Sequence, residues 1–191
     1  MACKVDLSVF KIPIEVLPVN KDGVPFFMPV IINKLLENTK VVGIFRMCGS
    51  KRVIDQLGIE AVDVNFSIKE NVGVHDLASF LKQWVRELPT PIITPSVINE
   101  YYKDDSVNST KEVLRHLAPV NRKCIALIFS LLILISDQSD TNLMTLQNIY
   151  TCILPSILQY NQGIDVRFAF GTFFEQCIDL LNRDGNDFLL D

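Results

Sequence analysis

The stretch Val74-His-Asp-Leu-Ala-Ser-Phe-Leu-Lys-Gln-Trp-Val-Arg-Glu-Leu-Pro-Thr-Pro91 reads as an amphipathic helix with an enforced end. Val74, Leu77, Ala78, Leu81 and Val85 recur at three- and four-residue steps, which places them on one stripe of a helix that has to be buried. The spacing predicts a helix over roughly Val74 to Glu87. Leu88-Pro89-Thr90-Pro91 forces the stop, because a residue that precedes proline is pushed out of the α region. The opposite face carries Ser79, Lys82 and Arg86, the two cations one turn apart.

Working outward, the same period recurs along the chain. Upstream, Phe27, Met28, Ile31, Ile32, Leu35 and Leu36 mark a helix that stops near Asn38. Between the two lies the glycine-bounded loop Gly43-Ile-Phe-Arg46-Met-Cys-Gly49. Ser50 is placed to cap a short helix through Val53, Ile54 and Leu57, which Gly58 is expected to end. Downstream, Thr94-Pro95 has the form of an N-cap followed by proline in the first helical position, and Ser109-Thr-Lys-Glu112 fits a capping box. An apolar run follows Asn121. Two further helices are predicted over Thr145 to Ile153 and Arg167 to Leu181, the latter with Phe170, Phe173, Phe174, Cys177, Ile178 and Leu181 inward. No stretch alternates with period two between hairpin turns, and no Gly/Ser linker or repeat interrupts the chain. The expectation is an all-α fold, a single domain over residues 1–191.

Composition narrows the possible functions. The chain is 49% apolar and 21% charged, a globular balance. Its net charge of −4 and pI near 5.2 speak against nucleic acid, because non-specific duplex binding rests on Lys and Arg at phosphates. Five cysteines, without CxxC pairing and mostly in apolar stretches, suit reduced thiols and a cytoplasmic setting. The run Cys124 to Ile135 falls short of the ~20 residues that cross a bilayer, so a buried helix and no membrane insertion are expected.

His75 and His116 have no second ligand at metal spacing, and no GxxxxGK[ST] phosphate loop is present. Any chemistry on a nucleotide then requires a partner that holds it. What remains is cationic: Arg46, Lys82 and Arg86. Taken singly, a loop arginine and two cations on a polar helix face merely keep a surface wet.

Their surroundings are more specific. Phe10-Lys-Ile-Pro-Ile-Glu-Val-Leu17 with Gly23-Val-Pro25, the loop Gly43-Ile-Phe-Arg46-Met-Cys-Gly-Ser50, the helix Val74 to Pro91, and Asn142-Leu-Met-Thr145 with Asn148-Ile and Leu154-Pro155 follow one another in that order. In this order they resemble the RhoGAP domain family along nearly the whole chain. The family usually carries lysine at the position of Leu143, Leu-Ala at Ile149-Tyr150 and glycine at Leu154, and its segment between Leu57 and Val74 is usually longer.

The resemblance implies a bundle of about nine helices that docks on the switch regions of a Rho, Rac or related GTPase in its GTP-bound state. It makes Arg46 the catalytic arginine finger, in a loop shaped by Gly43, Phe45, Gly49 and Ser50. Lys82 and Arg86 fall at positions that support this loop and contact the GTPase. Asn148 falls at the position of a polar residue that reaches the partner, or else is a helix asparagine bonded within its own domain. No cofactor of its own is implied, since GTP and Mg²⁺ are held by the partner, and a monomer is expected. Two other readings stay open: a RhoGAP-fold module that binds GTP-loaded GTPase without accelerating hydrolysis, and a helical scaffold that binds no GTPase.

Overall fold

The computed structural model describes residues 7–159 and 165–184. Among them are nine α-helices, no strand beyond an isolated bridge between Val19 and Pro25, and one 3-10 turn at Ile14–Val16. The helices are α1 (Phe27–Leu36), α2 (Lys51–Glu60), α3 (Val74–Glu87), α4 (Pro95–Tyr101), α5 (Val107–His116), α6 (Pro119–Ser136), α7 (Ser139–Asn142), α8 (Leu146–Leu158) and α9 (Asp165–Asp184).

Four of them close a ring: α1 packs on α3, α3 on α8, α8 on α6, and α6 back on α1. The apolar stripes that the sequence spaces along α1 and α3 meet here. Phe27 presents its edge to Phe80 at 5.6 Å and to Trp84 at 5.2 Å, an arrangement worth about 0.5–1.5 kcal/mol per pair beyond the area buried. α2 lies along α3, while α9 covers the flank of α6 and α5 packs on α9 and α4. Phe174 of α9 is set edge-on to Phe129 of α6 at 4.7 Å and to Tyr150 of α8 at 4.4 Å.

α6 runs 18 residues at mean hydropathy 1.6, long and apolar enough by those two measures to span a bilayer. Its packing is that of a core helix, with Cys124, Ile125, Ile128, Phe129, Leu131, Leu132 and Ile135 buried against its neighbours. It is not apolar on every side for want of solvent, since Leu134 is about half exposed.

Several boundaries differ from the sequence reading. Gly58 does not end α2, which continues to Glu60. A Cβ at Gly58 would stand 2.5 Å from the Phe10 ring and 2.6 Å from Ser8 Oγ, so this glycine admits the N-terminal segment, whose Val9 N–H donates to the Gly58 carbonyl. α5 begins three residues before the expected capping box: Ser106 is the N-cap and its hydroxyl accepts from the Ser109 N–H. α8 runs past Ile153 and through Pro155 to Leu158. Ser50 and Thr94 occupy the expected N-cap positions, yet neither hydroxyl makes a capping bond. The side chain of Phe170 lies outside the described residues.

Candidate functional site

The loop before α2 turns twice into left-handed backbone. Gly43 has φ +70°, which glycine adopts without cost, but Phe45 has φ +66°, where a side chain is disfavoured by about 1–3 kcal/mol. What holds Phe45 there is burial: Ile44 and Phe45 are wholly inaccessible, and their insertion into the core drives the next residue, Arg46, outward. The Arg46 and Met47 N–H groups both donate to the Gly43 carbonyl, closing the turn at 2.9 and 2.8 Å.

One face of α3 holds this loop. Lys82 Nζ donates to the Phe45 carbonyl at 2.5 Å, directly beneath Arg46. Ser79 Oγ accepts from the Gly49 N–H at 2.9 Å, and Asp76 Oδ1 from the Ser50 N–H at 2.6 Å. The other Asp76 oxygen takes the Gly73 N–H at 2.9 Å, so one carboxylate serves both the helix N-terminus and the loop. Gly49 is seated so closely that a Cβ would fall 2.5 Å from Asp76 Cα. Burial holds the Lys82 ammonium below the ordinary lysine range; Cys152 and Cys48 oppose that shift, and the Arg86 charge adds to it.

A second buttress comes from the α7–α8 turn. The Asn142 carbonyl accepts the Gly43 N–H at 2.8 Å. Asn142 is fully buried, and its side chain donates to the Thr39 and Ile135 carbonyls, both at 2.7 Å, while accepting from the Met144 N–H. Leu143 follows with φ +60° and its side chain exposed. Asn148 Nδ2 donates to the Leu143 carbonyl at 3.0 Å, which engages the Asn148 amide inside its own domain.

Of the residues singled out in the sequence, Gly43, Phe45, Arg46, Gly49, Ser50 and Lys82 thus form one bonded unit. Arg86 lies one turn beyond Lys82 on α3 and is exposed. Among the described residues neither Arg46 nor Arg86 has an ion-pair partner, so both guanidinium groups remain available. Sequence reading gives no role to Asp76 or Gln159, and places Asn142 in a motif without a role of its own. Asp76 had a local signal, as an acid in the first turn of a helix. Gln159 had none: its left-handed backbone turns its side chain back to donate to the Val85 and Leu88 carbonyls.

The ring of helices and the arginine loop held against α3 define a helical domain of the RhoGAP type. A sequence model of the RhoGAP domain matches residues 25–162, and the chain belongs to that family. It is 34% identical over 131 residues to Rho GTPase-activating protein gacW of Dictyostelium discoideum, an alignment covering 62% of this chain and 11% of that protein. It is 31% identical over 174 residues to human Rho GTPase-activating protein SYDE1, covering 81% of this chain and 24% of that one. The chain therefore spans a quarter or less of the length of both relatives. In three dimensions it is similar to human Rho GTPase activating protein 15, with a TM-score of 0.78 at 19% identity over 98% of this chain and 94% of that one, which shows the shared fold.

Proposed function

We propose that this domain accelerates GTP hydrolysis by a GTP-loaded Rho-family GTPase, with Arg46 as the finger supplied in trans. The observation that carries the reading is the loop itself: an exposed arginine whose backbone is fixed by a buried phenylalanine on one side and by Lys82, Ser79 and Asp76 on the other. As water attacks the γ-phosphate, negative charge spreads over the phosphoryl oxygens and the leaving oxygen. A planar guanidinium donates to two such oxygens at once, which a lysine ammonium does not. GTP and Mg²⁺ stay with the partner, whose own glutamine orients the water. Lys82 positions rather than reacts, since its ammonium is committed to the Phe45 carbonyl.

An arginine delivered this way accelerates hydrolysis by roughly 10³–10⁵, about 4–7 kcal/mol of barrier. Single-turnover hydrolysis by a panel of Rho- and Rac-type GTPases tests the reading. Wild-type protein is expected to accelerate at least one of them, and Arg46→Ala to lose about 10³-fold or more of that acceleration with its melting curve unchanged. Full acceleration by the variant would exclude Arg46 as the finger. Binding of GTP-loaded GTPase without acceleration would assign a non-catalytic module, the reading favoured by an apolar Leu143 where the family usually carries lysine.

A further inference from the structure

Val42, Met47 and Leu143 expose 48%, 49% and 52% of their surface, although the residues between and beside them, Gly43, Ile44, Phe45 and Met144, are buried. The two segments that carry them are tied by the bond from the Gly43 N–H to the Asn142 carbonyl. Met47 folds over Gly43: its Cγ and Sδ stand 3.0 and 3.2 Å from where a Gly43 Cβ would be, and Arg46 Nε stands 3.9 Å from the same point. Three half-exposed apolar residues therefore stand on the two segments that this bond joins, beside one exposed arginine. The other exposed large apolar side chains are scattered over other elements. Single exposed apolar residues are ordinary on a protein surface, but a convergent group marks a contact surface.

Leu143 makes the case sharper, because leucine is disfavoured there twice, by left-handed backbone and by exposure. Its backbone is tied at both ends, the N–H to the Ser139 carbonyl and the carbonyl to Asn148 Nδ2. Asparagine would accept the same φ more readily and be better hydrated. Nothing among the described residues explains the apolar side chain.

We propose that Val42, Met47 and Leu143 form an apolar collar that seats on an apolar surface of the GTPase beside its nucleotide. The inference rests on the function proposed above, and the occupant follows from continuity with Arg46. An arginine that reaches a phosphate held by another protein brings everything at its own base onto that same protein. The collar excludes water around the entering guanidinium, where a charge-assisted contact is worth more than in bulk solvent. The cation Arg86 then belongs to the polar rim that surrounds the apolar centre of an interface.

The test is the affinity for Rho- and Rac-type GTPases loaded with a non-hydrolysable GTP analogue, measured at low and high salt for wild type and for the V42T/L143N double variant. Threonine keeps the shape of valine and asparagine suits the left-handed position, so the fold is expected to persist, as an unchanged melting curve would show. The double variant is expected to bind about tenfold more weakly or worse, and to keep that deficit at high salt because an apolar contact is not screened. Val64→Thr, an exposed valine between α2 and α3, serves as the control and leaves binding as it was. Equal affinity of wild type and double variant overturns the collar and leaves the proposed function standing. A wild-type chain that binds none of the panel overturns the proposed function and the collar's occupant with it. Self-association of the wild type that the double variant abolishes, read by sedimentation, would make the collar a contact between copies and overturn the proposal.

Discussion

At Gly49 the loop and helix α3 approach so closely that no other residue type fits. A methyl group there would overlap the Asp76 backbone, with 2.5 Å to Cα and 2.8 Å to N, and backbone cannot rotate out of the way as a flexible side chain does. Gly49→Ala is expected to cost about 1–3 kcal/mol, the usual range for overpacking, read as a lower denaturant midpoint; an unchanged midpoint would mean that α3 recedes without penalty. Gly43 and Gly49 were legible in the sequence as the bounds of a loop. The reason for Gly49 was not, because the atom that excludes a side chain belongs to Asp76, which sequence reading places in a different helix.

The element that organises the site is α3, and its C-terminal end is fastened from outside. Gln159, with φ +47° at the end of α8, donates to the carbonyls of Val85 at 3.1 Å and Leu88 at 2.9 Å. Helix ends leave such carbonyls without intrahelical partners, so this one side chain joins α8 to α3 where the apolar stripe runs out. Gln159→Ala is expected to lose about 1–3 kcal/mol and to speed hydrogen exchange in the last turn of α3; protection identical to wild type would show that water replaces the amide at no cost. The bounds of α3 were readable at Val74 and Glu87 because period and proline stop agree. Readings failed where a long-range contact overrode a local rule. Glycine commonly ends helices and Gly58 reads as a C-cap, but in the fold it serves the approach of Phe10. The period along α8 predicts an end at Ile153, but the helix continues through Pro155 to Leu158. Serine at 106 and serine at 109 carry the same capping chemistry, and only the fold, through the bond between them, selects the first.

For the whole molecule, the family match ends at residue 162, yet α9 lies beyond it and completes the core. Phe173, Phe174, Cys177, Ile178, Leu180 and Leu181 are all buried, against α6 and α5. At about 1.5–3 kcal/mol for each large apolar side chain, the loss rivals the roughly 5–15 kcal/mol that separates a folded domain from its unfolded chain. A chain ended at residue 164 is therefore expected to lose its cooperative unfolding transition, followed through the sole tryptophan, Trp84; a sharp transition near the wild-type midpoint would show that α9 is dispensable. The same view of the molecule bears on which changes of length it tolerates. Asp76, Ser79 and Lys82 grip the arginine loop from one face of a single helix, so their separation along the chain is a measured angle. One residue inserted among them would swing every later grip by about 100° around the helix axis. α3 is in that sense a ruler: a gap or insertion between Asp76 and Lys82 would strip the loop of its grips on this helix and leave Arg46 to the burial of Phe45 and the bond from Gly43 to Asn142 alone.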